Sequence, residues 1–480
     1  MNANESALLR VRTQTVLWLG TALALFLILA LLGLVMRLNQ AGALSATPDL
    51  FYAIMTLHGL GMTGAMFMSG IACVWFLLSR YVDAHPRLMW ASYALVVLGA
   101  VGLVIGTLIG RFGPGWYVLY PLPFVNPVWP GWATGLSVVS LILLGTGWLL
   151  AQLTLLGSLA QRYGAGNLLG WQYFSSGQPT VEIPPIVLIT VVSLITGSVT
   201  TVAGAVLFLL YIAKWFNNAL QFDALLMKNV VFLFGHTIVN ITMYLGIAAV
   251  YELLPKFTRR SWSVNRLVAF SWNTVLLFIL GAYFHHLYMD FAQPVALQYL
   301  GQVLSYSSAI PATVVTVFGV GAQVYRSGMR WSFVPLSFFL GITGWVIGGF
   351  AAVVDSTIAL NTVLHNTLWV PAHFHTYFLL GYLLILLGVT YHVTESQQEP
   401  RAIAALTTMV VGGVGFLMMF YLGGVDGVPR RFAQYAGIDS QTLAVTAQSL
   451  AGVAAGFVML FLLGFLVYLA ALGRKTSAVT

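Results

Sequence analysis

The sequence predicts an all-α integral membrane protein with twelve transmembrane helices. Of the 480 residues, 59% are hydrophobic and only 7% are charged, whereas soluble domains carry about 25% charged residues. Twelve apolar runs each reach the length of about 20 residues that spans the hydrocarbon core of a bilayer. This composition excludes a water-soluble enzyme, a nucleic-acid-binding protein and a disordered chain.

The apolar runs follow one another along the whole chain, so we expect one membrane domain over residues 1–480. The first run is too long for a cleavable signal peptide, and eleven more follow it. The predicted spans lie near residues 15–37, 52–79, 90–110, 132–156, 184–213, 229–254, 266–290, 297–323, 333–354, 367–393, 403–424 and 445–472.

The basic residues predict the orientation, because loops that stay in the cytoplasm carry an excess of Lys and Arg. With a cytoplasmic N-terminus, six of the 20 basic residues fall outside and the other fourteen, including Arg474 and Lys475, fall inside. We therefore expect both termini to be cytoplasmic, in a bacterial inner membrane. The six outer residues are Arg37, Arg111, Lys214, Lys228, Arg430 and Arg431.

Cysteine is almost absent from the sequence. Cys73 is the single cysteine, which excludes a disulfide framework, a thiolate zinc site and covalent attachment of a c-type haem. We interpret Cys73, inside the second span, as a small buried hydrophobic residue.

Six of the nine histidines share one predicted depth, in the outer part of the membrane. They lie early in the second, sixth and tenth spans and late in the seventh, at a rise of about 1.5 Å per residue. One such histidine is usually a packing residue, but six at one level indicate a functional site. Without thiolates and with few carboxylates, these imidazoles suit haem iron, copper or zinc. The six are His58, His236, His285, His286, His373 and His375.

Helical geometry divides these histidines into groups. His373 and His375 project about 200° apart, so the tenth span can serve one cofactor on each side. His285 and His286 are about 100° apart and, with His236, could give three imidazoles to one ion. His58 is left to pair across a haem with a histidine of the tenth span.

Five short stretches carry a resemblance to a known family. They read TLHG around His58, GH at 235–236, FHH at 284–286, HNTLWVPAHFH at 365–375 and VPRR at 428–431. In this order they resemble the catalytic subunit of the haem-copper oxygen and nitric oxide reductases, most closely the B-type oxygen reductases. The resemblance implies two haems, one low-spin and one high-spin, and one copper ion, with iron less favoured than copper.

The resemblance also implies a role for each histidine. The expected ligands are His58 and His375 for the low-spin haem, His373 for the high-spin haem, and His236, His285 and His286 for the copper ion. Together with Asn240, the last four are the expected catalytic residues.

Two groups of polar residues are expected at the outer surface. Arg430 and Arg431 would neutralise haem propionates through charge-assisted hydrogen bonds, unless they are a solvated basic pair. His365 and Asp355 fall in the predicted outer loop before the tenth span and would hold propionates or an ion.

The source of electrons must lie outside this chain. A dinuclear copper centre or a c-type haem needs more cysteine than Cys73 alone. The resemblance therefore implies a membrane-anchored partner similar to subunit II, carrying copper or a c-type haem, or else a quinol.

The chain has other residues at the two positions where the family carries its active-site tyrosine. The oxygen reductases use this tyrosine to supply an electron and a proton when the O–O bond breaks. Most place it four residues after the histidine of the sixth span, where this chain has Asn240; one branch places it where this chain has Ile279. The better-known nitric oxide reductases have a glutamate in place of Asn240. Because nitric oxide reduction needs no phenol, we expect reduction of nitric oxide to nitrous oxide, with O2 reduction and proton translocation as the alternative.

A relocated phenol stays open as part of that alternative. Tyr283 and Tyr288 flank the histidine pair, and Tyr244 lies eight residues after His236. Each is also a plausible packing or interfacial aromatic residue.

The inner proton path of B-type enzymes is only partly matched. Tyr251 fits its lower position, and Glu252 is either an acid that admits protons or a residue near the membrane surface. Apolar residues replace the family's next polar groups, although Thr313 and Thr316 leave room for a shifted path.

A transporter is the alternative from a different class of protein. Its intramembrane histidines would carry protons or metal ions, and it would show no visible haem spectrum.

Overall fold

The computed structural model describes residues 3–473 except 84, 126–127, 176, 178 and 291–292, with the backbone alone for residues 3–7. Within this part of the chain, twelve helices are long and apolar enough to cross a membrane, which confirms the predicted fold class. Arg474 and Lys475 lie outside the described residues. The spans are α1 (Leu8–Gln40), α2 (Pro48–Leu78), α3 (Pro86–Ile109), α4 (Gly131–Tyr163), α5 (Pro185–Phe216), α6 (Ala224–Thr258), α7 (Arg266–Leu287), α8 (Val295–Val324), α9 (Phe333–Ser356), α10 (Trp369–Val393), α11 (Glu399–Val425) and α12 (Gln441–Leu469).

The bundle is organised around α10. This helix is the most buried span, with 83% of its apolar window inside the protein, and its inner half from Leu383 to Val393 is almost entirely buried. Helices α2, α6 and α9 pack against it. Of the other helices that carry the six histidines, α2 and α6 therefore contact α10 directly, and α7 packs against α6.

Two histidine-bearing helices depart from α-helical geometry. The last nine residues of α7, Ile279–Leu287, form a 3₁₀ helix that contains both His285 and His286. In α10, the π-helical segment Thr376–Tyr382 begins directly after His375. Long 3₁₀ segments and π turns are uncommon and concentrate at functional sites.

Most helices extend beyond the apolar runs that predict them. The sixth span, expected over 229–254, covers Ala224–Thr258, because polar residues can continue a helix outside the hydrocarbon core. The same extension corrects the position of Asp355, which lies in the last turn of α9 rather than in the outer loop.

Candidate metal centres

His58 on α2 and His375 on α10 face each other as an imidazole pair. Their ring centroids are 6.2 Å apart and their planes differ by 22°. The Nδ1 atom of His58 donates to the carbonyl oxygen of Leu29 at 2.7 Å, and that of His375 donates to Pro371 O at 2.6 Å. Each Nε2 atom is therefore left with a free lone pair for a metal.

The spacing of this pair fits one metal ion between the rings. Two metal–nitrogen bonds of about 2.0 Å each, together with the inner halves of two imidazole rings, span about 6 Å. The pair therefore fits a six-coordinate haem iron.

His236, His285 and His286 form a second cluster. Their available ring nitrogens all lie within 4.8 Å of one another, and the centroids of His285 and His286 are 4.2 Å apart. The Nδ1 atom of His285 contacts the Ser305 hydroxyl at 3.0 Å, while its Nε2 atom is buried without a hydrogen-bond partner among the described residues. Three imidazoles without a carboxylate fit copper or zinc better than a hard cation.

The 3₁₀ geometry of α7 changes the relation between the adjacent histidines. Successive residues of a 3₁₀ helix turn by about 120°, since it has 3.0 residues per turn, rather than the 100° expected for an α-helix. The sequence did not predict this segment.

His373 lies on the opposite side of α10 from His375. Its Nδ1 atom is buried without a hydrogen-bond partner among the described residues, and its ring is 5.4 Å from that of Tyr377. One continuous cavity is lined by His373, by the His58 and His375 pair and by the three-histidine cluster. The cavity and the donor set therefore fit two haems and a neighbouring copper ion.

Asn240 lines the same cavity, one helical turn inward from His236. Its amide nitrogen donates to the backbone oxygen of His236 at 2.9 Å, which fixes the side chain against its own helix. Ile279, the other position at which the family carries a tyrosine, is also on the cavity wall and presents an apolar surface. Neither position supplies a phenol.

The three candidate phenols have different surroundings. Tyr283 donates its hydroxyl to Asn229 Oδ1 at 3.1 Å, and Tyr288 donates to Ser356 O at 3.1 Å. Tyr244 lines the cavity. A further phenol on the cavity wall, Tyr377, was missed by sequence reasoning because only the histidines of α10 signalled function.

Arg430 is positioned next to the beginning of α10. Its backbone NH donates to Asn366 O at 2.9 Å, and its guanidinium donates twice to Asn366 Oδ1, at 2.9 and 3.2 Å. Burial and the neighbouring Arg431 lower the pKa of Arg430 to about 9, so the side chain remains cationic at neutral pH. Arg431 lies 4.1 Å above the ring of Tyr117. Both arginines line the cavity and can meet anionic groups there.

Asp355 and His365 lie near this basic pair without bonding to it. Asp355 is only 1% exposed, and its Oδ1 atom has no hydrogen-bond partner among the described residues. Burial, with a contribution from Arg430, lowers the pKa of His365 to about 4. His365 is therefore a neutral imidazole at physiological pH.

Arg37, at the outer end of α1, was not predicted as a site residue. It lines the cavity, and its guanidinium lies 4.8 Å from the ring of Phe420, which contacts the ring of His375. The sequence signal for Arg37 is a basic residue at the end of an apolar run, which indicates only the orientation of the chain in the membrane.

Tyr251 and Glu252 point to different neighbours. The hydroxyl of Tyr251 is 3.1 Å from the hydroxyl of Thr316, whereas Glu252 accepts hydrogen bonds from Tyr81 at 3.0 and 3.1 Å. Burial and the Glu252 carboxylate raise the pKa of Tyr81 to about 12. The two predicted path residues therefore do not form one continuous line.

A twelve-helix bundle with a facing histidine pair, a separate buried histidine and a three-histidine cluster around one cavity is typical of the catalytic subunit of a haem-copper oxidoreductase. The chain belongs to the family of the cytochrome c and quinol oxidase polypeptide I, whose model matches residues 14–458. Membership implies haem and copper cofactors and a multi-pass membrane protein, as the sequence predicted.

Individual relatives agree with this assignment. The chain is 26% identical over 449 residues to cytochrome c oxidase subunit 1 of Thermus thermophilus, covering 87% of this chain and 75% of that one. It is 24% identical over 414 residues to cytochrome c oxidase polypeptide 1 of Halobacterium salinarum, covering 81% and 66%. A solved heme-copper terminal oxidase dimer shares the fold, with a TM-score of 0.81, 20% identity and coverage of 96% of this chain and 83% of that one.

Proposed function

We propose that this chain is the catalytic subunit of a membrane complex that reduces nitric oxide to nitrous oxide. Two molecules of nitric oxide, two electrons and two protons give one nitrous oxide and one water. When bound, the haems and the copper ion supply the electron relay and the binding site for the gas. The supporting geometry is the cavity shared by all six histidines.

The chemistry at position 240 carries the choice of nitric oxide. Splitting O2 to water in one step needs a fourth electron and a proton beside the three-histidine cluster. Asn240 can supply neither the electron nor the proton. An amide is not redox-active, and the amide nitrogen donates its hydrogen bond to His236 O. Ile279 is apolar. Coupling two nitric oxide molecules needs only two electrons, so the site does not require a phenol at either position.

In this proposal the residues of the chain hold and orient the reacting groups. His58 and His375 would bind the low-spin haem from two helices, and His373 would bind the high-spin haem. His236, His285 and His286 would hold the copper ion. Arg430 and Arg431 neutralise the propionates by charge-assisted hydrogen bonds, and the neutral His365 and buried Asp355 complete the polar wall there.

Reduction of O2 is the second candidate, and the names of the relatives favour it, because both are cytochrome c oxidase subunits. The contact between the hydroxyl groups of Tyr251 and Thr316 also supports it. Those groups could carry protons from the inner side.

The electrons are proposed to come from another component of the complex. This chain has one cysteine, Cys73, and it is buried within α2. A membrane-anchored subunit carrying copper or a c-type haem, or a quinol, would deliver electrons beside the outer basic residues. The excess of basic residues on the opposite side supports cytoplasmic termini in a bacterial inner membrane.

Turnover of the purified complex with the two gases tests the proposal. We expect nitrous oxide to form rapidly under anaerobic conditions and O2 to be consumed slowly with the same electron donor. The variant His286→Ala should lose both activities, which would assign them to the three-histidine cluster. Rapid O2 consumption with negligible nitrous oxide would refute the choice of nitric oxide. A preparation without haem absorption would instead favour the transporter.

A further inference from the structure

The hydroxyl group of Tyr244 belongs to the cavity and has no role in the mechanism above. Tyr244 lies on α6, is 4% exposed and lines the cavity shared by the histidines. Its ring packs edge-on against Trp272 at 5.4 Å. The hydroxyl makes no hydrogen bond to any described residue.

Two buried tyrosines away from the cavity satisfy their hydroxyl groups, whereas those of Tyr391 and Tyr435, which do not line it either, have no partner among the described residues. Tyr211 donates to Val118 O at 2.9 Å, and Tyr468 donates to Leu387 O at 2.7 Å. A buried tyrosine hydroxyl normally finds a partner, because an unsatisfied polar group inside a membrane protein costs several kcal/mol. Since Tyr244 lines the cavity, its hydroxyl is available to a molecule that occupies the cavity.

The register of α6 directs this hydroxyl toward the candidate copper site. His236, Asn240 and Tyr244 are spaced by four residues and share one face of the helix. Side chains of a helix lean toward its N-terminus, so the ring of Tyr244 is directed back toward Asn240. No acidic or basic side chain on this stripe separates Tyr244 from His236.

The groups across the cavity leave Tyr244 as the best placed donor on α6. Tyr377 lines the cavity from α10, and the hydroxyl residues that line it from α8 are Ser305, Ser308 and Thr313. Thr313 precedes Thr316 by one helical turn, and the hydroxyl of Thr316 contacts that of Tyr251. Hydroxyl groups of two other helices therefore line the cavity in which Tyr244 would be reprotonated.

We propose that Tyr244 is the proton donor of the gas-binding cavity, a role that rests on the proposed reduction of nitric oxide. The O–H bond of the phenol breaks, and an O–H bond forms on the oxygen atom released when an N–O bond breaks. The electrons come from the external donor, so the phenol is not oxidised. The phenolate then takes a proton that reaches it from the aqueous phase through water in the cavity, and two such transfers complete one water molecule.

The test compares Tyr244→Phe with Tyr211→Phe in the intact complex. Each variant removes one buried hydroxyl and keeps the ring, but only the first hydroxyl faces the cavity. We expect Tyr244→Phe to lower the maximal rate of nitrous oxide formation at least about tenfold. A positioned acid contributes at least about a hundredfold to the rate, but water would replace part of that contribution in the variant. Its rate should fall further as pH rises and should show a larger slowing in D2O, since water must then supply the proton. Haem spectra and carbon monoxide binding should match the wild type.

Three results would overturn this role. The first is a rate of Tyr244→Phe within twofold of the wild type, and the second is an equal loss in Tyr211→Phe. The third is a loss of O2 reduction alone, which would make Tyr244 an electron donor in O2 chemistry. Failure of the proposed function is distinguishable from these, because the wild-type complex itself would then form no nitrous oxide.

Discussion

Replacing Gly33 by alanine should disturb the low-spin haem site through a single atom. Gly33 lies on α1, one turn after Leu29, whose carbonyl accepts the hydrogen bond from His58. A Cβ atom at position 33 would lie 2.9 Å from Cε1 and 3.3 Å from Nδ1 of His58, whereas ordinary contacts begin at 3.4 Å. The ring must therefore move by about 0.5 Å, the difference between 3.4 and 2.9 Å.

That movement weakens the bond that orients the ring. Shifting His58 away from α1 would lengthen the 2.7 Å bond to Leu29 O to about 3.2 Å, the outer limit of an N–H···O bond. We expect a loss of about 1 kcal/mol from the weakened bond and about 1–3 kcal/mol from overpacking. The helix propensity of alanine offsets up to about 1 kcal/mol of this.

Gly20→Ala is the matched control, because a Cβ atom there meets nothing within 4 Å and the helix is the same. We expect Gly33→Ala to shift or reduce the low-spin haem band, to lower the unfolding temperature and to leave carbon monoxide binding at the other haem unchanged. Optical spectra and thermal unfolding of the purified complex measure these effects. If both alanine variants give the same spectra and stability, the close approach of α1 to His58 does not orient that ring.

Three further perturbations test other parts of the site. His58→Ala should abolish the low-spin haem signal while carbon monoxide binding persists; an intact signal would reject its axial role. The folded pKa of His365, about 4, lies below its ordinary value of 6.5, so the unfolded chain binds more protons between these values and stability should fall as pH drops from 6.5 to 4. His365→Gln should lose less unfolding temperature between pH 7 and pH 5 than the wild type, and equal losses would contradict the assignment. Asn366→Gly removes the side-chain amide that accepts hydrogen bonds from Arg430, and glycine tolerates the positive φ of 61° at this position. Because the Arg430 cation would then be held less firmly, the midpoint potential of the nearer haem should fall. An unchanged potential would show that Asn366 does not hold Arg430 in place.

The fold and the histidine layer could be predicted because they depend on local sequence. An apolar run of sufficient length must form a helix in a bilayer, where every backbone group needs a partner within the segment. Once each span has a direction, the depth of a residue such as His58 follows from helical rise alone. Twelve spans and six histidines at one level therefore follow from the sequence.

Features that depend on contacts between helices could not be predicted in the same way. The 3₁₀ geometry that presents His285 and His286 arises within an apolar run that reads as an ordinary helix. Arg37 becomes part of the cavity wall only because α1 packs beside α2. Asn366 holds Arg430 because residues 428–430 pair with residues 366–368, including the bridge between Thr367 and Pro429. The spacing of hydrophobic residues along the sequence does not indicate which distant segments pair with one another.

Helix α10 carries one proposed ligand of each haem, and this determines which substitutions can affect one haem site without the other. His373 and His375 are two residues apart on α10, so a change in the position of this helix moves the proposed ligands of both haems. Phe374 lies between them, edge-on to His375 at 5.7 Å and stacked on Phe378 at 4.7 Å, which couples the pair further to the same packing. A variant at His375 would therefore disturb the His373 side through the backbone and Phe374. Of the two proposed ligands of the low-spin haem, His58 lies on a different helix, α2, and so we expect its replacement to separate loss of that haem from loss of the gas-binding centre.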